Sequence, residues 1–269
     1  MYSFPVPTLQ IMQYGARFFY WWFMNTDPAA AQQAFKLYKT TQLSRKAFRM
    51  LKVLDEIVKL KKALMAGRVG GSGLAYHEAL QAVRSIAMGF FWTFDNLNYL
   101  TTTDTIQFGN ARALRGFSRS WSVGSALLVL LGVSTLRRTQ KKRSNLAKDL
   151  RAAQAHGGGE GFGNTEREKE IKIALSKANA EHFKSWLTIL KGVLDLTCAV
   201  NISGVDLPKK LLGHKLNDGI IGAIGCVSAL CVLYNSWPNR IQPPLLSEPL
   251  PIPHVHLGTG QESKVTAQI

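Results

Sequence analysis

Apolar residues occur along this chain in long unbroken runs and in helical stripes. The clearest run extends from Gly219 to Asn239, GIIGAIGCVSALCVLYNSWPN, and contains no charged residue. About 20 mostly apolar residues are enough for a helix to cross a bilayer. Tyr234 and Trp237 lie near its C-terminal end, where interfacial aromatic residues are typical of membrane helices. The run predicts a transmembrane helix, and the alternative is a buried helix of a soluble protein.

Small side chains form a stripe along this predicted helix. The spacings from Gly219 to Ala223 and from Gly225 to Ala229 place small residues four positions apart, which lets two helices approach closely. We therefore predict helix–helix packing at Gly219, Gly222, Ala223, Gly225 and Ala229.

A second apolar run covers residues 120–136, SWSVGSALLVLLGVSTL. Its length lies at the lower limit for crossing a bilayer. Arg119 precedes it and several basic residues follow it from Arg137 onward. The run either spans the membrane, with its flanking arginines reaching the headgroups, or lies at a shallow depth as a half-inserted helix.

Two further apolar regions are interrupted by charges. Residues 85–100 contain Asp95, and residues 185–200 contain Lys191 and Asp195, whose spacing allows an ion pair on one helical face. A charge in the middle of a bilayer costs a few kcal/mol or more. Both regions are therefore interpreted as amphipathic helices that pack on the spans or lie at the interface.

The segment Thr41–Met65, TQLSRKAFRMLKVLDEIVKLKKALM, has the periodicity of one amphipathic helix. The apolar face contains Leu43, Ala47, Met50, Leu54, Ile57 and Leu64. The opposite face and the edges contain Arg45, Lys46, Arg49, Lys52 and Lys59. Lys61 falls on the apolar face and is the exception to the pattern.

This segment has three candidate roles. It could pack as an ordinary core helix with one solvated face. It could bind nucleic acid, but no recognisable nucleic-acid module surrounds it, so we expect no such partner. It could lie on an anionic phospholipid membrane with its apolar side down and its basic residues at the headgroups. The neighbouring predicted span favours the membrane role.

The remaining segments predict connections rather than further domains. Residues 67–73 and 157–163 are rich in glycine, lack a phosphate-loop motif and predict linkers. Residues 238–269 are rich in proline and predict an irregular tail. No strand pattern is evident. We expect one all-α membrane domain over residues 1–237, built from amphipathic helices and one or two transmembrane helices.

Composition supports a membrane partner. Apolar residues make up 46% of the 269 residues and charged residues only 19%, whereas about 25% is usual for a soluble domain. With 33 Lys and Arg against 17 Asp and Glu, the net charge is +16. A chain that is poor in charge and strongly basic indicates a partner with negative charge, such as anionic lipid.

The sequence offers no recognisable active site. Three cysteines without metal-ligand spacing and six scattered histidines do not assemble a nucleophile with its base, or a metal site. We therefore expect no catalytic residues, no cofactor and no metal.

Several motifs together resemble the peroxin-eleven family of peroxisomal membrane proteins. The resemblance covers about residues 13–237. In chain order, the motifs are Gln13–Arg17 (QYGAR), Leu43–Arg49 (LSRKAFR), Leu54–Glu56 (LDE), Trp92–Leu97 (WTFDNL), Leu190–Leu196 (LKGVLDL) and the glycine-rich span Gly222–Trp237. The family's charged element before the first motif has no counterpart here, where Pro5 and Pro7 stand instead.

The resemblance implies an integral protein of the peroxisomal membrane that promotes elongation and division of the organelle, and so controls its number and size. Leu43–Leu64 corresponds to the segment that family members insert into the cytosolic leaflet to curve it. Self-association, a fission adaptor, a dynamin-type GTPase and cytosolic termini are also implied. Some members are linked to solute permeation, so a membrane channel for small solutes is the alternative function.

Overall fold

The computed structural model describes residues 5–69, 72–156, 162–202 and 205–236. These residues form eight α-helices and no strand, which confirms the all-α prediction. The helices are α1 (Pro5–Phe23), α2 (Pro28–Ala47), α3 (Lys52–Val69), α4 (Ser72–Thr102), α5 (Asn110–His156), α6 (Phe162–Val200), α7 (Leu207–Leu212) and α8 (Asp218–Ser236).

Local signals explain where some of these helices begin and end. The Asp27 carboxylate accepts hydrogen bonds from the N–H groups of Ala29 and Ala30, both at 3.0 Å, and Pro28 occupies the first helical position of α2. The short helix α7 ends at Gly213, whose φ of 78° favours glycine over other residues.

The long helices pack side by side as antiparallel neighbours. α4 packs along α5, α5 along α6, α6 along α8 and α8 along α1. Close approach is made at glycines, because Gly132 of α5 faces Ile189 and Gly192 of α6 faces Val129. α2 completes the bundle against α1, and α3 folds back along α4.

This register places the N-terminal end of α1 and the C-terminal end of α8 on the same side of the bundle. Tyr14 of α1 contacts Gly225 of α8 and Trp21 contacts Gly219, so α1 begins where α8 ends. The Phe183 and Tyr234 rings lie 5.5 Å apart, which brings the C-terminal end of α8 towards the N-terminal half of α6. Pro5 and Ser236 therefore lie on the side of the bundle towards which α5 and α6 continue, and these two helices extend beyond the end of α8 to His156 and Phe162.

The bundle carries polar groups inside and apolar groups outside. Asp95, Ser118 and Ser228 are almost completely buried, whereas many large apolar side chains are exposed on the long helices. These include Phe90, Val123, Leu130, Trp186, Val193, Val227 and Leu230. Exposed apolar surface of this extent marks contact with lipid or with another protein.

Two helices are long and apolar enough to cross a membrane, Asn110–Ala155 within α5 and α8 from Asp218 to Ser236. The first contains the apolar run 120–136, and the second covers the predicted span 219–239 up to Ser236. Residues 237–239 of that span, the tail 238–269 and residues 157–161 of the second linker lie outside the described residues.

We expect the protein to remain in the membrane pellet after extraction with alkaline carbonate, because two apolar helices anchor it. A peripheral protein that is held by charge alone is released at that pH. Complete recovery in the supernatant would contradict the membrane-spanning interpretation of α8.

The interrupted regions 85–100 and 185–200 form parts of α4 and α6, and both pack along α5. Lys191 and Asp195 form the expected ion pair, and the Ser228 hydroxyl of α8 donates a hydrogen bond to Asp195. The carboxylate therefore has partners from two helices inside the bundle.

The prediction of one continuous helix over Thr41–Met65 is wrong. α2 ends at Ala47 and α3 begins at Lys52, with a turn at residues 48–51. The first linker is also shorter than predicted, because α3 extends to Val69 and α4 begins at Ser72. α6 likewise begins at Phe162, inside the second predicted linker.

Candidate membrane-binding site

The apolar face of α3 is more than half exposed along its described residues. Leu51 is 74% exposed, Leu54 is 54% exposed and Ile57 is 57% exposed. Val58, Leu64 and Met65 continue this face and are also more than half exposed. We call these six residues the α3 apolar face.

The opposite side of α3 holds it against α4. Ala63 and Glu56 are buried there, and the Glu56 carboxylate binds the Lys59 ammonium at 2.7 Å. Val53 and Leu60 are half-buried on the same side. The helix is therefore fixed with its apolar face directed away from the bundle.

The turn between α2 and α3, which we call the elbow, comprises residues 48–51. Its backbone is held by short-range bonds, such as that from Arg49 N–H to Lys46 O at 3.1 Å and that from Lys52 N–H to Arg49 O at 3.0 Å. α4 adds a long-range bond, because the Asn96 side-chain amide donates to Met50 O at 2.7 Å. Leu51 of the elbow belongs to the α3 apolar face, and the exposed Phe48 extends it.

Arg45 and Arg49 do not lie at an exposed basic face as predicted. Their exposures are 7% and 8%, and both point into the protein. Arg49 forms an ion pair with Asp95 of α4, with 2.9 Å between Nη2 and Oδ2, while its Nε donates to Arg45 O at 3.0 Å. Arg45 donates to the Gln13 side chain of α1.

Lys46 and Lys52 lie at the edge of the same cluster. The Lys46 ammonium donates to the Asn98 side chain. The Lys52 ammonium and the Arg49 guanidinium both lie against the Trp92 ring, at 5.2 and 5.3 Å from its centroid. Burial lowers the pKa of both lysines, and it lowers the pKa of Arg45 to about 10. We call Arg45, Lys46, Arg49, Lys52, Trp92 and Asp95 the elbow cluster.

The structure thus divides the predicted membrane-binding residues into three groups. Leu54, Ile57, Leu64, Ala47 and Lys59 are exposed. Leu43 and Met50 are half-buried, and the four basic residues Arg45, Lys46, Arg49 and Lys52 belong to the elbow cluster. Sequence reasoning did not connect the cluster with Gln13, Asp95 or Asn96, although the segments QYGAR and WTFDNL contain them.

The small residues of α8 lie against aromatic residues of α1. Gly219 faces Trp21, Gly222 faces the backbone of Phe18 and Gly225 faces Tyr14. Ala229 is completely buried, whereas Ala223 is exposed. Only part of the aromatic run at the end of α1 packs on α8. Phe18 and Trp21 contact its glycines, whereas Phe19 and Trp22 are exposed.

The comparison with known families covers nearly all of the described helices. The family model "Peroxisomal biogenesis factor 11 (PEX11)" matches residues 8–237, from α1 to the end of α8. The chain belongs to the PEX11 family. The match includes the elbow, the α3 apolar face and both candidate spans, so this PEX11-family chain is a peroxisomal biogenesis factor with a membrane-type helical bundle.

Two relatives of this PEX11-family chain are named peroxisomal membrane proteins. "Peroxisomal membrane protein 11 homolog" of Dictyostelium discoideum is 26% identical over 231 residues, which is 86% of this chain and 88% of that protein. "Peroxisomal membrane protein 11-1" of Oryza sativa subsp. japonica is 24% identical over 231 residues, which is 85% of this chain and 84% of that protein. No solved structure matches the chain.

No group of three His, Cys, Asp or Glu side chains is arranged to hold a metal ion within the part of the chain that the structure describes. The candidate site of this PEX11-family chain is the α3 apolar face, which is more than half exposed, together with the adjoining elbow cluster.

Proposed function

We propose that this protein curves and elongates the peroxisomal membrane by inserting the α3 apolar face into one leaflet, and thereby promotes peroxisome division. The observation that carries the proposal is the exposure of Leu54, Ile57 and Val58 on a helix whose opposite side is packed on α4. A helix buried on both sides would have no surface to insert.

The energy for insertion comes from burial of apolar surface. Moving one Leu or Ile side chain out of water contributes about 1.5–3 kcal/mol. The α3 apolar face has four Leu or Ile residues together with Val58 and Met65, each already partly covered, so the available free energy exceeds that of any single ion pair at the surface. A helix inserted into one leaflet expands that leaflet and favours curvature.

We propose cytosolic termini, as the family resemblance implies. The register of the bundle directs Pro5, Ser236 and the ends of α5 and α6 towards the same side of the membrane. Basic residues do not choose between the two orientations, because Arg112, Arg115 and Arg119 precede the apolar run of α5 and several basic residues follow it from Arg137 onward. With the termini in the cytosol, the basic hairpin of α5 and α6 is cytosolic as well.

An exposed stripe on α8 supports self-association. Ile220, Val227, Leu230 and Tyr234 are exposed on the side of α8 that faces away from α1, and Ala223 lies between them. The small residue would allow close approach of a second copy. A fission adaptor and a dynamin-type GTPase would then act on the elongated membrane.

Liposomes containing the full-length protein test the proposed function. We expect tubules to form on anionic vesicles and to decrease as salt rises, because salt screens the attraction between basic side chains and the surface. An entrapped small solute reports leakage in the same sample. Tubulation without solute efflux supports membrane shaping. Solute efflux from vesicles that keep their shape would overturn the proposed membrane-shaping function.

A passage for small polar solutes is the second candidate function. It is favoured by a cavity of about 410 Å³ among α1, α5, α6 and α8. Arg17, Asn201 and Asp218 are among its lining residues, and Arg17 Nε donates to Asp218 at 2.8 Å. The substitution Cys198→Trp would fill this cavity. If it abolished solute efflux, the result would support a solute passage through the cavity.

A further inference from the structure

α6 runs antiparallel to the first candidate span, α5. Gly132 of α5 faces Ile189 of α6, whereas Val129, which comes earlier in α5, faces Gly192, which comes later in α6. The position along α5 thus decreases as the position along α6 increases, so the two helices run in opposite directions.

The second candidate span, α8, is antiparallel to α6 as well and is therefore parallel to α5. The Phe183 ring lies 5.5 Å from the Tyr234 ring, whereas Asp195, further along α6, accepts a hydrogen bond from Ser228, which precedes Tyr234 in α8. Two parallel helices of one chain can both cross a membrane only if the chain between them crosses it in the opposite direction.

Residues 183–200 of α6 have the surface expected of that returning helix. Their exposed side chains are all apolar, namely Phe183, Trp186, Leu190 and Val193. The preceding part of α6 exposes charged side chains instead, among them Glu166, Lys169, Glu170, Lys172 and Lys177. The apolar part comprises about 18 residues, which is within the range of a transmembrane helix.

The charges in the middle of this segment are directed into the bundle. Lys191 and Asp195 pair with each other, and Asp195, which is 8% exposed, also accepts the hydrogen bond from the Ser228 hydroxyl of α8. Charged residues within transmembrane helices face the bundle interior and pair there. An amphipathic helix that lay at the interface would turn these charges outward, to water.

We propose that α6 crosses the membrane through residues 183–200 and presents Trp186, Leu190 and Val193 to the acyl chains of the lipid. This face is covered by lipid because it lies beside the apolar run 120–136 of α5, to which Val129 belongs, and continues the surface of that span. The inference goes beyond the proposed function and does not involve α3. It places residues 137–156 and residues 205–217 on opposite sides of the membrane.

The packing of α1 fits this topology. α1 lies antiparallel along α8, with Tyr14 at Gly225 and Trp21 at Gly219. It exposes no charged side chain, because Arg17 is half-buried and bonded to Asp218. A crossing by α1 leaves Pro5 on the same side as Ser236 when α5, α6 and α8 each cross once.

The accessibility of single cysteines in isolated peroxisomes tests the crossing by α6. Ser144 of α5 and His214, between α7 and α8, are exposed and lie outside the apolar segments. Each is replaced by cysteine in the full-length chain, which is treated with a membrane-impermeant maleimide. We expect Ser144→Cys to be labelled on intact organelles and His214→Cys to be fully protected until the membrane is permeabilised. The wild-type protein is the blank, because its three cysteines all lie within the apolar parts of α6 and α8.

Labelling of both variants on intact organelles, or of both only after permeabilisation, would overturn the crossing by α6. Labelling of His214→Cys on intact organelles with protection of Ser144→Cys would support the crossing and overturn the proposed cytosolic orientation. The proposed membrane-shaping function is measured by tubulation of liposomes, so its failure is distinguishable from a failure of this topology.

A fluorescent label at Val193→Cys tests whether lipid covers the apolar face of α6. Ser176→Cys is the matched control, because Ser176 is exposed on the same helix about 25 Å away and outside the apolar segment. In liposomes with brominated acyl chains, which quench fluorescence on contact, we expect the label at residue 193 to lose most of its fluorescence and the label at residue 176 to keep it. Unquenched fluorescence at both positions would mean that a second copy or another protein covers this face, and would overturn the lipid assignment.

Discussion

Replacing Leu54 and Ile57 together by glutamate is expected to abolish membrane elongation while the protein still reaches its membrane. Both side chains lie on the α3 apolar face, and their exposures of 54% and 57% indicate that little packing is lost within the protein. Each substitution removes about 1.5–3 kcal/mol of apolar burial and places a charge on the inserting side. The candidate spans in α5 and α8 are unchanged, so anchoring should persist. Peroxisome shape, observed by fluorescence microscopy in cells that overexpress each variant, is the measurement.

The matched control adds the same two charges elsewhere. Gln140 and Asn145 are exposed polar residues of α5, and Gln140→Glu with Asn145→Glu should elongate the organelle as the wild-type protein does. Normal elongation by a correctly targeted Leu54→Glu, Ile57→Glu variant would show that α3 is not the inserted helix. The α3 apolar face would then be a contact surface for another protein.

Gly222→Val is expected to cause the largest loss of stability among single substitutions in α8. A Cβ atom at this position would lie 2.7 Å from the backbone nitrogen of Phe18 and 2.9 Å from its Cα. Backbone atoms cannot move aside as a side chain does, so α1 and α8 must separate. We expect a loss of about 3 kcal/mol, the upper end of the usual cost of overpacking. Thermal unfolding of the purified protein in detergent measures it.

Ala223→Val is the corresponding control. Ala223 is the next residue in the same helix, but it is exposed. The substitution introduces the same β-branched side chain without a collision, so the change should stay within about 0.5 kcal/mol. Equal stabilities of the two variants would mean that α1 and α8 do not pack in the antiparallel register described above.

The sequence was sufficient for features that depend on local pattern. The absence of charge from Gly219 onward predicted α8, because a membrane helix needs only length and apolar composition. The spacing of Leu54, Ile57 and Leu64 predicted one apolar side of a helix, and the structure places these residues on one exposed side of α3. The pair of Lys191 and Asp195 followed from helical geometry alone.

The partner of the small residues of α8 could not be predicted in the same way. The spacing of Gly219 and Gly225 predicted close helix packing, but it could not show which helix approaches. The structure shows that α1 approaches, because Trp21 contacts Gly219 while the neighbouring Trp22 stays exposed.

The elbow was decided by tertiary structure. Thr41–Met65 contains neither glycine nor proline, so local propensity predicts an unbroken helix. At the break, residues 48–51 are held by α4, because Asp95 binds Arg49 and Asn96 donates to Met50 O across the fold. Arg49 is directed inward by its ion pair with Asp95, and Arg45 by its hydrogen bond to Gln13 of α1. A helical wheel describes only one helix, and it cannot show that a distant carboxylate will bury a basic residue that the pattern places at the membrane surface.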